Sequence, residues 1–276
     1  WRAAQLVPDF CQAVKIEFVE TSPVLRRQQA AIMPQSANIT WHADINSLPK
    51  APCIIIANEF FDALPIKQFI KTANGWQERK VDWQNNQFTY TTKNPALYDT
   101  PSLCDIDKTL NIDIAAYGAV QIGDVIEYNP IGQAIMAQSA RHICTYGGAL
   151  LVIDYGYSKP IAGDSLQAVK QHKPIDPLAA PGEADLTAHV NFAALQTVAE
   201  KAGAKTYGPI AQGSFLQQLG IEARFASLKQ AQAADKVEKL IAAQHRLTAP
   251  DQMGALFKAL AITHPTAPIP AGFAND

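Results

Sequence analysis

Hydrophobic and polar positions along the chain switch between two periods. At 14–20 (VKIEFVE) and 38–44 (NITWHAD) apolar residues alternate or cluster over a few positions, which predicts short strands. Residues 51–58 (APCIIIAN) and 147–157 (GGALLVIDYGY) are continuous apolar runs rich in branched residues, the pattern of strands covered on both faces. Between the first strands, 22–33 (SPVLRRQQAAIM) carries helix-start chemistry, with Ser22 as cap and Pro23 at the first helical position. Residues 1–7 read as the end of a helix stopped by Pro8-Asp9. The alternation at 66–83 pivots on Asn74-Gly75, a hairpin signal, and 85–92 supplies another strand.

Residues 93–118 have little periodicity and read as a long loop or lid. A strand at 123–130 leads into a helix opened by Pro130 and running to Tyr146. Residues 158–187 read as irregular, and Thr187 then caps an amphipathic helix predicted over 187–204. Helices at 212–231 and 233–246, a last strand at 254–263 and an extended surface tail from His264 complete the pattern. Strands alternating with helices predict an α/β fold with a mostly parallel, Rossmann-like sheet. Its core comprises 1–65 and 122–276, with a hairpin and lid-like segment inserted at 66–121.

Composition narrows the function classes. The 276 residues are 48% apolar and 17% charged, an ordinary globular balance. A net charge of −2, with no basic run longer than Arg26-Arg27, argues against nucleic acid as a partner. The four cysteines are widely spaced without a C-x-x-C pair, and Cys53 and Cys144 read as reduced core residues. The six histidines lack metal-ligand spacing, so no metal is expected. No stretch has the length of a membrane span, and no signal peptide is expected within these residues. The chain opens mid-pattern, without methionine, so further residues are expected upstream of Trp1.

Candidate chemistry collects where the strands end. In open α/β sheets ligands bind at the carboxyl ends of parallel strands, and Glu20, Asp44, Asn58-Glu59 and Asp154 all fall there. A strand-end carboxylate can grip both hydroxyls of a ribose, which suits Glu20 to a nucleoside cofactor; the same acid can instead cap the next helix. Asp44 is a weaker candidate of the same kind. No G-x-G-x-x-G occurs in the chain, so a glycine-rich turn is expected upstream if a nucleoside is bound.

The stretch NEFFDALPIKQF (58–69) resembles the MidA-type methyltransferases, whose mitochondrial members assist assembly of respiratory complex I. Blocks resembling the family recur in family order: VETSPVLRRQQ (19–29), VIEYNP (125–130), LLVIDYGY (150–157), the segment 166–192 ending GEADLTAHVNF, QGSFLQQLGI (212–221) and LFKALAI (256–262). The resemblance implies a Rossmann-like methyltransferase fold, S-adenosylmethionine as cofactor, and symmetric dimethylation of an arginine on a complex I subunit. It also implies that the family's glycine-rich loop precedes VETSP, where this chain has already begun. On that reading Glu59 binds the target guanidinium, Asp62 orients it or fixes the loop, and Asn58 supports the cofactor or the acceptor nitrogen.

Asp154 becomes a second guanidinium or protein contact, with a plain hydrogen-bonded turn as the alternative, and Gly156 permits close backbone approach. His189, read as one turn inside its helix, is either a packing residue or a proton-handling contact. Glu183 and Asp185 complement the helix's positive end, and Glu127 reads as structural. The expected partners are a protein substrate and, optionally, a second copy of the chain. The expected site is the mitochondrial matrix in a eukaryote or the cytoplasm in a bacterium. A non-catalytic assembly factor with the same fold is the second reading, and a nicotinamide oxidoreductase a distant third.

Overall fold

Pro8 begins a helix rather than ending one. In the computed structural model, α1 spans Pro8–Ala13 with Pro8 in its first turn, where a missing N–H costs nothing. The structure describes residues 6–34, 37–92, 113–230 and 233–274. The chain folds as two units, Trp1–Ala51 and Pro52–Asp276.

In the first unit, β1 (Ile16–Val19) pairs parallel with β2 (Ile39–His42), and α2 (Pro23–Ile32) connects them. Ser22 caps α2 as expected, its hydroxyl accepting from the Leu25 N–H at 3.3 Å. Phe18 stacks on Trp41 across the strand pair at 5.7 Å. Arg26 ties the strand ends together by donating to the carbonyls of Glu20 (2.6 Å) and His42 (2.8 Å).

The second unit is built on a sheet whose central strand is β8 (Gly148–Tyr157). On one edge β8 pairs parallel with β3 (Cys53–Asn58) and, further along, with β12 (Val190–Asn191). On the other edge β14 (Phe257–Thr263) runs antiparallel to β8, and β13 (Lys205–Ala211) runs antiparallel to β14. A separate antiparallel sheet of β4 (Lys67–Thr72), β5 (Gly75–Gln84), β6 (Gln87–Thr91) and β7 (Val125–Tyr128) intervenes between β3 and α3 (Pro130–Tyr146). Phe69, Trp76 and Ile126 form its own small core. The main core packs Met136, Ala140 and Ile143 of α3 and Leu195 and Ala199 of α4 (Phe192–Lys201) against Leu150, Val152, Leu260 and Ile262. The opposite face of the sheet is covered by Phe215 of α5 (Gln212–Gln218) and by Phe273.

Several expectations change. β3 is buried on one face only: Ile55 and Ala57 pack on the main core, whereas Ile54 and Ile56 are 77% and 69% exposed. Beyond its pairing with β8, β3 has no strand partner among the described residues, so its other edge is unpaired there. The 158–187 segment contains β9 (Gln167–Lys170), β10 (Lys173–Ile175) and β11 (Asp185–Thr187), joined in one antiparallel sheet. Its hairpin turns at Gln171-His172, both at positive φ (51° and 62°), a geometry usually signalled by Asn or Gly and therefore silent in this sequence. The helix expected from Thr187 starts at Phe192, because Val190-Asn191 is committed to pairing with β8.

Asn191 is the cap instead, accepting from the Ala194 N–H at 3.0 Å. Glu183 and Asp185 thus lie away from that helix start: Glu183 pairs with Lys170, and Asp185 is part of β11. The 212–231 helix divides at Gly220 (φ 79°) into α5 and α6 (Ile221–Gln230), followed by α7 (Ala234–Thr248). Within 254–263 the chain makes one helical turn, α8 (Met253–Leu256), before β14. The tail is anchored rather than merely extended: Phe273 is 2% exposed and its ring lies 5.1 Å from that of Phe215. Of the predicted 93–118 lid, 93–112 lies outside the described residues, and Ile114–Tyr117 forms a short 3-10 turn. Cys53 and Cys144 are free and half-buried, with thiols pushed up by burial. Among the described residues no helix is long and apolar enough to cross a membrane.

Gly156 meets the expected demand for close approach. A Cβ there would lie 2.1 Å from the Val190 carbonyl oxygen, inside the β8–β12 pairing. Gly156→Ala is expected to force β12 away and cost about 3 kcal/mol. Thermal unfolding should then show a Tm lower by roughly 6–12 °C, and an unchanged Tm would contradict the pairing.

Candidate active site

The second unit's candidate residues converge where β3 and β8 end. After Asn58 pairs with Ile153, the Glu59 N–H adds one more ladder bond to the Ile153 carbonyl at 2.9 Å. Glu59 then takes a positive φ of 46°, which a side-chain-bearing residue adopts only against a steric cost of about 1–2 kcal/mol. That turn aims three successive backbone N–H groups inward. Those of Phe60, Phe61 and Asp62 all donate to Asp154 Oδ2, at 3.1, 3.0 and 3.3 Å. The Tyr155 N–H donates to Asp154 Oδ1 at 2.9 Å. Asp154 is fully buried, and its two oxygens serve as the anchor of the turn. Asn58 and Glu59 are exposed at the lip, where a ligand can reach them.

Burial and the neighbouring Asp62 carboxylate push Asp154 up to about 7, against backbone donors that hold it down. Asp62 is also buried, and its Oδ1 has no hydrogen-bond partner. Its backbone carbonyl accepts from the Ala188 N–H at 3.0 Å, which ties the turn to the chain leading into β12. The Tyr155 phenol is raised by burial, partnered by Thr187 and Asp62. The Tyr155 ring meets that of His189 edge-on at 5.4 Å. His189 is half-buried and precedes α4, with its N–H donating to Ser165 Oγ at 2.8 Å. Burial lowers its pKa against the opposing Glu127 carboxylate, which favours the neutral imidazole. Asp62, Asp154 and His189 therefore share one cluster through Tyr155, a residue whose part the sequence did not reveal.

Beside the turn lies a cavity of about 600 Å³, sharing Phe61 with it and lined further by Tyr117, Glu127, Tyr157 and Asn191. Asn129 fixes this wall: its side-chain amide donates to the Phe61 carbonyl at 3.2 Å, and its Oδ1 accepts from the Gly132 N–H at 2.6 Å to cap α3. Sequence reasoning missed the tyrosines. The one available signal was the two-residue spacing of Tyr155 and Tyr157 at the end of β8.

Within the first unit, Glu20 does what a strand-end acid does for the next helix. Its Oε1 accepts from the Ser22 N–H at 2.8 Å and its Oε2 from Gln29 Nε2 at 3.2 Å. A carboxylate has about four lone-pair sites, so roughly two remain, matching the two hydroxyls of a ribose. The remaining acceptor sites therefore fit the hydroxyls of a nucleoside without disturbing the cap. The Asp44 carboxylate accepts from the Asn46 N–H at 2.6 Å, shaping the 3-10 turn Ile45–Ser47.

A family model described as "Putative S-adenosyl-L-methionine-dependent methyltransferase" matches residues 2–210. The chain belongs to this family. Its methyltransferase relatives include the mitochondrial protein arginine methyltransferase NDUFAF7 of Xenopus tropicalis, 32% identical over 96% of this chain and 59% of that protein. Human NDUFAF7 is 31% identical over 91% of this chain and 54% of its own length. The chain thus spans somewhat over half the length of these curated relatives. A Burkholderia thailandensis crystal structure superposes with a TM-score of 0.79 at 25% identity, covering 99% of this chain and 74% of that one. A second from that organism, solved with S-adenosyl-homocysteine bound, gives 0.77 at 24% identity, covering 99% and 72%. The Rossmann-like methyltransferase fold is thereby shown, and the family's cofactor is S-adenosylmethionine.

Proposed function

We propose that this protein methylates an arginine side chain of a protein substrate, and that Glu59 holds the target guanidinium. The observation that carries this reading is the Glu59 turn, a strained, exposed carboxylate at the ligand edge of the sheet, locked from behind by a buried acid. Strain of this kind persists where the surroundings over-determine it, commonly at functional sites. The arginine methyltransferase relatives supply the choice of acceptor.

S-adenosylmethionine supplies an electrophilic methyl group on a sulfonium. Asn58 supports the cofactor or the acceptor nitrogen through its amide oxygen on this reading, and Glu20 is by itself a ribose-type acceptor within the first unit. Glu59 binds the planar guanidinium by charge-assisted hydrogen bonds and presents one nitrogen for attack. The proton released from that nitrogen passes to a nearby acceptor, and the unpartnered Asp62 Oδ1 is the buried acceptor nearest the turn in sequence. Phe60 and Phe61, packed edge to face at 5.2 Å, form the wall that limits water. The finer reading is symmetric dimethylation of an arginine on a respiratory complex I subunit, serving its assembly.

The test incubates purified protein with isotopically labelled S-adenosylmethionine and arginine peptides, then complex I subunits, and reads the products by mass spectrometry. Dimethyl-arginine with one methyl on each terminal nitrogen is the expected product. Label on lysine, or cofactor binding without any transfer, overturns the reading. Tight subunit binding without transfer would point instead to a non-catalytic assembly factor.

A further inference from the structure

Among the described residues, Glu127 is a buried carboxylate without a counter-ion. It is 7% exposed, and no Lys, Arg or His lies at ion-pair distance among the described residues. Its Oε1 accepts from Gln68 Nε2 at 2.8 Å and the Ser165 N–H at 3.0 Å, and its Oε2 accepts from the Ser165 hydroxyl. These neutral donors orient the carboxylate and leave about one lone pair, on Oε2. Arg79 approaches only indirectly, donating to the far side of Gln68 at 2.5 and 2.9 Å and to Asp164 at 2.6 Å. A buried charge without a partner is costly, and a bound cation would offset that cost.

The cavity around this group suits a cation of one kind. At about 600 Å³ it falls within the usual pocket range of roughly 300–1,000 Å³. Tyr117 and Tyr157 line it, and burial holds Tyr117 up at about 12 and Tyr157 higher than an ordinary phenol, so both rings stay neutral. Neutral aromatic faces attract cations, and a guanidinium, planar and weakly hydrated, stacks on them. An ammonium is more strongly hydrated and needs three acceptors in a compact cluster, while Glu127 offers one free lone pair. Lys201 and Asp113, of opposite charge, also line the cavity, as does His189, whose pKa Glu127 raises against the lowering by burial.

We propose that this cavity is a specificity pocket for a second guanidinium of the substrate, separate from the one presented to Glu59, with Glu127 as its counter-charge and Tyr117 and Tyr157 as its walls. The proposal rests on the arginine-methyltransferase reading for the identity of the substrate. The pocket acts on substrate recognition, so its loss raises KM and leaves kcat in place.

The test measures binding by calorimetry and methyl transfer by mass spectrometry on one set of peptides. Each has one arginine, or a second arginine at increasing separations, with citrulline as the neutral isostere at the second position. Wild type should bind the best two-arginine peptide at least about tenfold more tightly than its citrulline counterpart. Glu127→Gln, which keeps acceptor and donor atoms for Gln68 and Ser165, should abolish that preference with its Tm unchanged. Tyr117→Leu, which removes a wall and leaves the Glu127 network, provides the second variant. A two-arginine preference absent at every separation, or one that survives Glu127→Gln, overturns the pocket. A fall in kcat at unchanged KM in Glu127→Gln also overturns it, by placing Glu127 at the reacting group. Transfer to single-arginine peptides reports separately on the proposed function, which stands or falls without the pocket.

Discussion

Glu59→Gln is expected to lower kcat/KM for an arginine peptide by roughly two to three orders of magnitude, with Tm unchanged. The amide keeps the size and one acceptor but removes the charge that pairs with a guanidinium. Glu59 is exposed, so neither its desolvation nor its packing supports the fold. Glu59→Gly makes the sharper companion. Glycine adopts positive φ without steric cost, so relief of the strained backbone offsets most of the extra chain entropy. Stability should stay within about 1 kcal/mol while activity falls at least as far as in Glu59→Gln. Stopped-assay rates and calorimetric Tm on the two variants decide the matter. A Glu59→Gln protein with wild-type kcat/KM removes Glu59 from the mechanism, whatever the enzyme's substrate.

Asp154→Ala is expected to lose activity through geometry and stability together. Deleting the carboxylate leaves the N–H groups of Phe60, Phe61, Asp62 and Tyr155 without their acceptor, two of them on buried residues. At about 1–3 kcal/mol for each buried donor left unmade, the loss is about 2–6 kcal/mol. Asp154→Asn can keep a carbonyl at the Oδ2 position for the three N–H groups of the turn, and turns its amide toward the single N–H of Tyr155. It should therefore cost less and retain more activity than alanine.

The two variants also expose a pH dependence. The native pKa of Asp154, about 7, lies above its ordinary value of 3.8, so the folded protein binds a proton there more tightly than the unfolded chain. Its stabilising contribution is present below about 4 and is lost as pH rises through about 7. Unfolding free energy should fall between pH 5 and 8 more steeply in wild type than in Asp154→Asn. Equal slopes would mean that Asp154 is already ionised throughout that range.

Much of this site could be found in the linear pattern and still be misread. The apolar run Cys53–Ala57 followed by Asn58, Glu59 and Asp62 marks a strand delivering polar groups to a ligand edge. Asp154 at the end of LLVID is marked in the same way, yet its direction is invisible in one dimension. Only the parallel register of β3 against β8 brings its carboxylate under three N–H groups more than ninety residues earlier in the chain. The helix entry shows the same limit. Thr187 and Asn191 are both sound caps by local propensity, and pairing of Val190-Asn191 with β8 decided for Asn191. Gln171-His172 makes a left-handed turn that no local residue announces.

The main α and β elements outside 158–187, the cap at Ser22, the helix start at Pro130 and the hairpin at Asn74-Gly75 follow from local chemistry, because propensity and periodicity act over a few neighbouring residues. The choice between a carboxylate that touches substrate and one that braces the turn beside it belongs to long-range contacts. Asp154 braces, Glu59 is exposed, and Glu127 is a buried part of the cavity lining that Tyr117 and Tyr157 share. Hydrogen-bond satisfaction and burial separate the bracing carboxylate from the exposed one, and both are properties of residues far apart in sequence that meet only in the folded chain.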